Sequence, residues 1–225
     1  TTPFTYADSL LLSGTTLFVG VSNAASSSSA ELWSCDTGGT CNATTGWSRV
    51  AGDYLNKSWG TYNLQSVESM TTGSGYLYAG TGITVAGNAL VWQYNGSTWT
   101  MVGGQGINSS WAFRTYEVVT SLQWFSGKLY AGLGSTAGDA EVWEWNGSAW
   151  TQIGGTASGN WGTAAYESVT AMAVWNSKLY AAIGINAANE AEVWEWGSGT
   201  TWTKVGGDGV GAPASWNTSY ETVNS

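Results

Sequence analysis

The sequence predicts an all-β fold: a β-propeller of four four-stranded antiparallel blades, followed by the first strand of a fifth unit. Three observations carry this. A closing tryptophan recurs at positions 47, 99, 150 and 202, at spacings of 52, 51 and 52 residues. Each interval divides into four strand-like runs separated by turn residues, which is the signature of a blade repeated at a fixed period. The composition, 32 Gly, 16 Trp and 11 Tyr with only 9% charged residues, suits short aromatic-rich strands joined by tight turns.

The repeat is in register at three separate phrases. Thr16-Leu17-Phe18-Val19-Gly20 returns as Tyr76-Leu77-Tyr78-Ala79-Gly80, Lys128-Leu129-Tyr130-Ala131-Gly132 and Lys178-Leu179-Tyr180-Ala181-Ala182. Glu31-Leu32-Trp33 matches Leu90-Val91-Trp92, Glu141-Val142-Trp143 and Glu192-Val193-Trp194. The closing Trp47 phrase matches those at Trp99, Trp150 and Trp202. The units run over about 4–57, 58–109, 110–160 and 161–215, all within one domain, with 216–225 as the extra strand.

In the third unit the strands are expected near 116–125, 128–134, 140–145 and 149–153. Ser126-Gly127, the small residues 135–139 and Asn146-Gly147 break them. Asn-Gly between aromatic runs is a strong hairpin signal, expected here as a type I′ turn. No run holds a helical period.

A Leu-Tyr strand, a hairpin through Val142-Trp143 and Asn146-Gly147, and the closing Trp150 together resemble the kelch-type repeat. That resemblance spans nearly the whole chain and implies a propeller without implying a function. The chain departs from it where a Gly-Gly doublet would follow the Leu-Tyr strand: Gly132-Leu133-Gly134 and Ala182-Ile183-Gly184 stand there instead. The family's copper-oxidase relatives need His ligands, and this chain has no His.

Alternating strand direction sorts the connections onto two faces. First-to-second and third-to-fourth turns are short. Second-to-third loops and blade-to-blade crossings are long and variable, and longer loops on a rigid scaffold are where function concentrates. The crossings carry Trp59, Trp111, Trp161 and Trp216, and Tyr116-Glu117, Tyr166-Glu167 and Tyr220-Glu221 follow three of them. A ring beside a carboxylate suits a sugar, whose C–H face packs on the ring while its hydroxyls donate to the acid. These ten residues are therefore candidate glycan contacts. The competing reading is that they wedge between neighbouring blades.

Net charge is −9 with six scattered basic residues, which excludes a phosphate-binding stripe and hence nucleic acid. No apolar run approaches the ~20 residues of a spanning helix, so membrane insertion is not expected. Without His the Ser-His-Asp arrangement is impossible, no metal site or cofactor motif stands out, and the fifteen acids are read as falling at repeated positions. The expectation is a protein that binds rather than catalyses.

Cys35 and Cys41 lie outside Cys-x-x-Cys spacing, and a disulfide closing a small loop is expected, implying an oxidising, extracellular location. Six sequons occur. Asn95 and Asn146 are read as turn residues, leaving Asn42, Asn56, Asn108 and Asn217 as candidate glycosylation sites. The expected partners are glycans or other copies of the chain. The second class rests on the spare terminal strand, which offers an edge for an extracellular fibre, sheath or adhesin.

Overall fold

The structure is a computed structural model that describes residues 4–23, 28–36, 38, 41–42, 46–59, 62–82, 85–112, 116–155, 161, 166–184, 191–207, 210 and 220–223. Among the described residues sixteen strands form four antiparallel sheets, each in chain order. Blade 1 holds β1 (Tyr6–Ser13), β2 (Thr16–Ser22), β3 (Glu31–Asp36) and β4 (Trp47–Ala51). Blade 2 holds β5 (Ser66–Gly73), β6 (Tyr76–Gly82), β7 (Leu90–Tyr94) and β8 (Trp99–Gly103). Blade 3 holds β9 (Val119–Phe125), β10 (Lys128–Leu133), β11 (Glu141–Trp145) and β12 (Trp150–Gly155). Blade 4 holds β13 (Val169–Trp175), β14 (Lys178–Ile183), β15 (Glu192–Ser198) and β16 (Thr201–Gly206).

The short hairpins divide the turn chemistry differently from the expectation. Both central residues have positive φ at Ser74-Gly75, Ser126-Gly127 and Asn176-Ser177, so the type I′ turns join first to second strands. At Asn95-Gly96 and Asn146-Gly147 only the glycine does. There the Asn side chain itself organises the turn, its Oδ1 accepting from the next two backbone N–H groups but one, at 2.9–3.0 Å. In blade 1 the Cys35–Cys41 disulfide, with Cα atoms 5.9 Å apart, stands in that hairpin's place.

The strands β1, β5, β9 and β13 pack side by side as the inner strands of an arc. Three interblade cores follow, one at each successive junction. At every junction the outer-strand indole of one blade donates to the outer strand of the blade before it: Trp99 to Val50, Trp150 to Val102 and Trp202 to Ile153, at 2.8–3.1 Å. The inner strands approach so closely that a Cβ on Gly20, Gly80 or Gly132 would lie within 3 Å of Val67, Val119 or Val169 respectively. That contact is why this position is glycine in three blades.

No comparable core joins blade 4 to blade 1 among the described residues. The segment Tyr220–Val223 is not a strand, yet Thr170 Oγ1 donates to the Val223 carbonyl. Ser69 Oγ donates to Val119, and Thr120 Oγ1 to Val169, in the same way. Val223 thus occupies the slot of a following inner strand.

Candidate functional site

The first two crossings each begin just past an outer strand, at a glycine of positive φ, Gly52 or Gly104. A single 3₁₀ turn follows, Leu55–Lys57 or Ile107–Ser109. A serine hydroxyl then accepts from the starting glycine's N–H at 2.8 Å, Ser58 in one crossing and Ser110 in the other. The crossing tryptophan comes next. Trp59, Trp111 and Trp161 are all buried, and their indoles donate to Ala30, Ala89 and Ala140 carbonyls at 2.7–2.9 Å. Each packs against the repeated tryptophan pair of the blade it leads into: Trp92 and Trp99, Trp143 and Trp150, Trp194 and Trp202. The structure places these rings inside the blade junctions, and Trp59 also floors the cleft described below.

Tyr116 and Tyr166 also turn inward. The Tyr166 hydroxyl donates to Glu192 at 2.7 Å, and Tyr116 bonds the buried Glu141. Burial, then the Glu141 charge, drives the Tyr116 hydroxyl's pKa well above that of a free phenol. Burial likewise raises Glu141, against the hydrogen bonds from Trp143 and Tyr116 that favour its charged form. The tyrosines' backbone carbonyls accept from the preceding blade's second-to-third loop, from Gly87 and from Gly138, which puts loops and crossings on one face.

Glu117 and Glu167 are half-exposed, while Tyr220 and Glu221 are exposed. Trp216 and Asn217 lie outside the described residues. Asn56 and Asn108 both have left-handed φ, and their Nδ2 atoms donate to Val50 and Val102 carbonyls at 3.1 Å. A packing role therefore accounts for both of these asparagines. Asn42 is exposed.

The crossing from blade 1 to blade 2 departs from this pattern and opens a cleft of about 360 Å³. Ser28, Asp53, Tyr54, Tyr62 and Asn63 supply its polar and aromatic walls, over a floor of Ala30, Trp59 and Leu64. Tyr54 is 61% exposed and holds φ 65°. The second crossing uses Gly106, φ 76°, at the same point. A tyrosine in a glycine's conformation is strained by about 1–2 kcal/mol, and such strain concentrates at functional positions. Tyr62 stands edge-on to Trp92 at 5.9 Å. Asn63 is held by the Ser28 hydroxyl and by Asn88, at 3.1 and 2.9 Å.

Under the cleft the Tyr–Glu strut is replaced by Leu64 and Leu90, both fully buried. Trp33, Trp143 and Trp194 donate to Glu31, Glu141 and Glu192. Trp92, facing Leu90 in that register, is left with a buried N–H that has no partner among the described residues.

A second departure lies on the inner strands. The bulge residues of β9 and β13 are Thr120 and Thr170, but those of β1 and β5 are Asp8 and Glu68. Burial raises both carboxyls above the ordinary range, the Asp8 charge raises Glu68 further, and a Ser66 hydrogen bond opposes this. One Asp8 oxygen is buried without a partner among the described residues. Sequence reading passed over this pair, as it did Tyr54, Tyr62, Asp53 and Asn63. In each case the signal was a break in the repeat, legible once the units are aligned.

No protein-family model matches the chain, the kelch-type repeat included, and no curated protein matches it by sequence. Solved structures do share its fold. A mutant of Trypanosoma rangeli sialidase displaying trans-sialidase activity is 14% identical, with a TM-score of 0.55 over 89% of this chain and 37% of that one. The Bacteroides ovatus xyloglucan PUL protein GH43B is 11% identical, at 0.50 over 88% of this chain and 40% of that one. A Dyadobacter fermentans protein of unknown function is 9% identical, at 0.54, covering 89% and 68%. The chain thus spans about two fifths of the first two.

These likenesses support a β-propeller and correct one expectation. The exclusion of catalysis does not stand, because a sialidase is built on this fold. The reasoning failed because a missing His says nothing about carboxylate chemistry, and because Asp8 and Glu68 break the repeat that was taken to cover every acid.

Proposed function

We propose that the chain is a secreted, carbohydrate-binding propeller whose glycan site is the cleft between blades 1 and 2. The carrying observation is Tyr54, an exposed ring held in a glycine's conformation at the mouth of a cleft with carboxylate, amide and hydroxyl groups. Tyr54 and Tyr62 offer faces for sugar C–H groups, and Asp53 and Asn63 offer hydrogen bonds to hydroxyls. Pockets of this size bind small ligands. The fold's occurrence in a sialidase supports the ligand class. The disulfide supports an oxidising compartment, and no described helix is long and apolar enough to cross a membrane. Glu117, Glu167, Tyr220 and Glu221 are proposed as outlying contacts on the same face.

Glycan-array binding of the wild-type chain against Tyr54→Ala and Tyr62→Ala tests the site. Loss of the same glycans in both variants is expected. Unchanged binding in both removes the cleft from consideration. A second reading, glycoside cleavage, is favoured by the Asp8–Glu68 pair, since such reactions use two carboxyls in different protonation states. Its test is release of reducing sugar by wild type and not by Asp8→Asn or Glu68→Gln.

A further inference from the structure

We infer that the junction of blades 1 and 2 carries a second binding site, on the face opposite the cleft, for a small uncharged molecule with a planar aromatic ring. A pocket of about 470 Å³ opens there among the short hairpins. Ser13, Phe18, Thr72, Tyr76, Leu77 and Tyr94 line it together with hairpin glycines, and none of the described lining residues is charged. Small-molecule sites take this form, mostly aromatic and apolar walls of this volume with a few polar groups.

The other blades show what fills this position. Each second strand carries an aromatic residue at one register: Phe18, Tyr78, Tyr130 and Tyr180. In three blades a further ring lies against it. Trp124 of blade 3 stacks on Tyr78 at 5.8 Å and 14°. Phe125 and Trp196 pack on Tyr130 at 6.2 and 5.5 Å, and Trp175 on Tyr180 at 6.1 Å. Tyr78 and Tyr130 are consequently 2% and 1% exposed. Phe18 is only partly buried, and no described ring pairs with it. The counterpart of Trp124 that would reach it from blade 2 is Thr72. The counterpart of Phe125 and Trp175 in its own blade is Ser13.

The chemistry of the seat changes along with its cover. Tyr78, Tyr130 and Tyr180 pair their hydroxyls with Gln93, Glu144 and Glu195. Phe18 has no hydroxyl, and the residue across from it is Ser34. A polar, covered tyrosine has thus become an apolar, open phenylalanine. An aromatic occupant suits it better than a sugar. The equivalent place in the next junction already holds an indole, Trp124, which lies so close over Gly73 that a Cβ there would run into it. The lining offers no carboxylate or amide to read a set of sugar hydroxyls. The Tyr94 hydroxyl is already given to the Gly96 carbonyl at 2.9 Å. The hydroxyls of Ser13, Thr72 and Tyr76 suit one N–H or O–H on the edge of a ring stacked on Phe18.

Indole is the probe, and titration calorimetry of the wild-type chain is expected to show saturable binding. Phe18→Ala should weaken it about tenfold by removing the stacking partner. The decisive variant combines Ser13→Gly with Thr72→Trp, which copies the Gly73 and Trp124 arrangement of the next junction. The protein's own indole should then close the pocket, raising the thermal midpoint while abolishing indole binding, because a cavity is filled and not made. Tyr54→Ala, on the other face, should bind indole as wild type does. Absence of saturable binding by wild type overturns the site, as does binding that survives the filled pocket in a variant folded by circular dichroism. Loss of indole in Tyr54→Ala assigns the ring to the cleft and overturns it equally. Where the paired substitution does not fold, Phe18→Ala decides alone, and an unchanged affinity in that variant overturns the site.

Discussion

Replacing Tyr54 by glycine separates strain from recognition in one variant. Tyr54 holds φ 65° where the next crossing has Gly106 at 76°, and the left-handed conformation costs an L-residue about 1–2 kcal/mol. Glycine removes that cost but adds unfolded-state entropy worth about 0.5–1 kcal/mol. The ring is 61% exposed, so little buried area is lost, and the Lys57 N–H still reaches the Tyr54 carbonyl position at 3.0 Å. The net expectation is a gain of about 0.5–1 kcal/mol, raising the thermal midpoint by about 1–4 °C for a chain of this size. Glycan affinity moves the other way. Losing one stacked ring worth about 1 kcal/mol weakens binding roughly fivefold. Tyr54→Phe keeps ring and strain and should match wild type in both assays. Tyr54→Ala keeps the strain, loses the ring, and should weaken binding with no stability gain. Differential scanning calorimetry and titration calorimetry on the four proteins read both quantities. A Tyr54→Gly protein that is no more stable than wild type refutes the strain argument, and one that binds as tightly refutes the cleft.

Two further outcomes follow from buried groups. Leu64→Tyr with Leu90→Glu should rebuild in blade 2 the strut of blades 3 and 4 and give Trp92 an acceptor. Leu90→Glu alone should cost several kcal/mol as a poorly paired buried acid, of about the size found on breaking buried pairs. A double-mutant cycle by urea unfolding should show favourable coupling of about 1–3 kcal/mol, and additivity would argue against the strut. The pH dependence has a definite sign. Asp8, Glu68, Asp139 and Glu141 all have carboxyl pKa values raised, chiefly by burial. Between the ordinary and raised values the native state binds more protons than the unfolded chain. Their contribution is therefore greatest below the ordinary carboxyl range and is lost as pH rises through the raised values. The thermal midpoint should fall as pH rises from the ordinary carboxyl range toward neutrality, and Glu68→Gln should lessen that fall; an unaltered slope in the variant would remove Glu68 as a cause.

The blades were legible because their determinants are local and repeated. The Leu-Tyr strand, the Trp phrase and the turn pairs recur in chain order, and each sheet is built from four consecutive strands. Site residues were less legible because the repeat that marks the fold also marks its packing. Trp59, Trp111 and Trp161 recur because every junction needs a wedge, and Tyr116 and Tyr166 recur because Glu141 and Glu192 need a partner. The Asn56 and Asn108 sequons recur because a left-handed asparagine closes the crossing onto Val50 and Val102. The turn type at Asn95 and Asn146 was misjudged for a related reason: the Asn side chain supplies hydrogen bonds that the dipeptide rule assigns to backbone geometry.

What distinguishes this chain is therefore where it breaks its own repeat, and the breaks described at the cleft and at the inner-strand bulges lie together. Tyr54 for Gly106, Leu64 and Leu90 for a Tyr–Glu pair, and Asp8 and Glu68 for two threonines all fall in blades 1 and 2. Packing requires none of them, since blades 3 and 4 form the same sheets with the repeated residues. Two of the breaks carry a cost that the repeat avoids, a left-handed tyrosine and a buried Trp92 N–H without a partner among the described residues. Costs of this kind, held in place by a rigid scaffold, are what a binding site requires of a fold. The glycan site proposed above lies at the junction of blades 1 and 2, where these breaks fall.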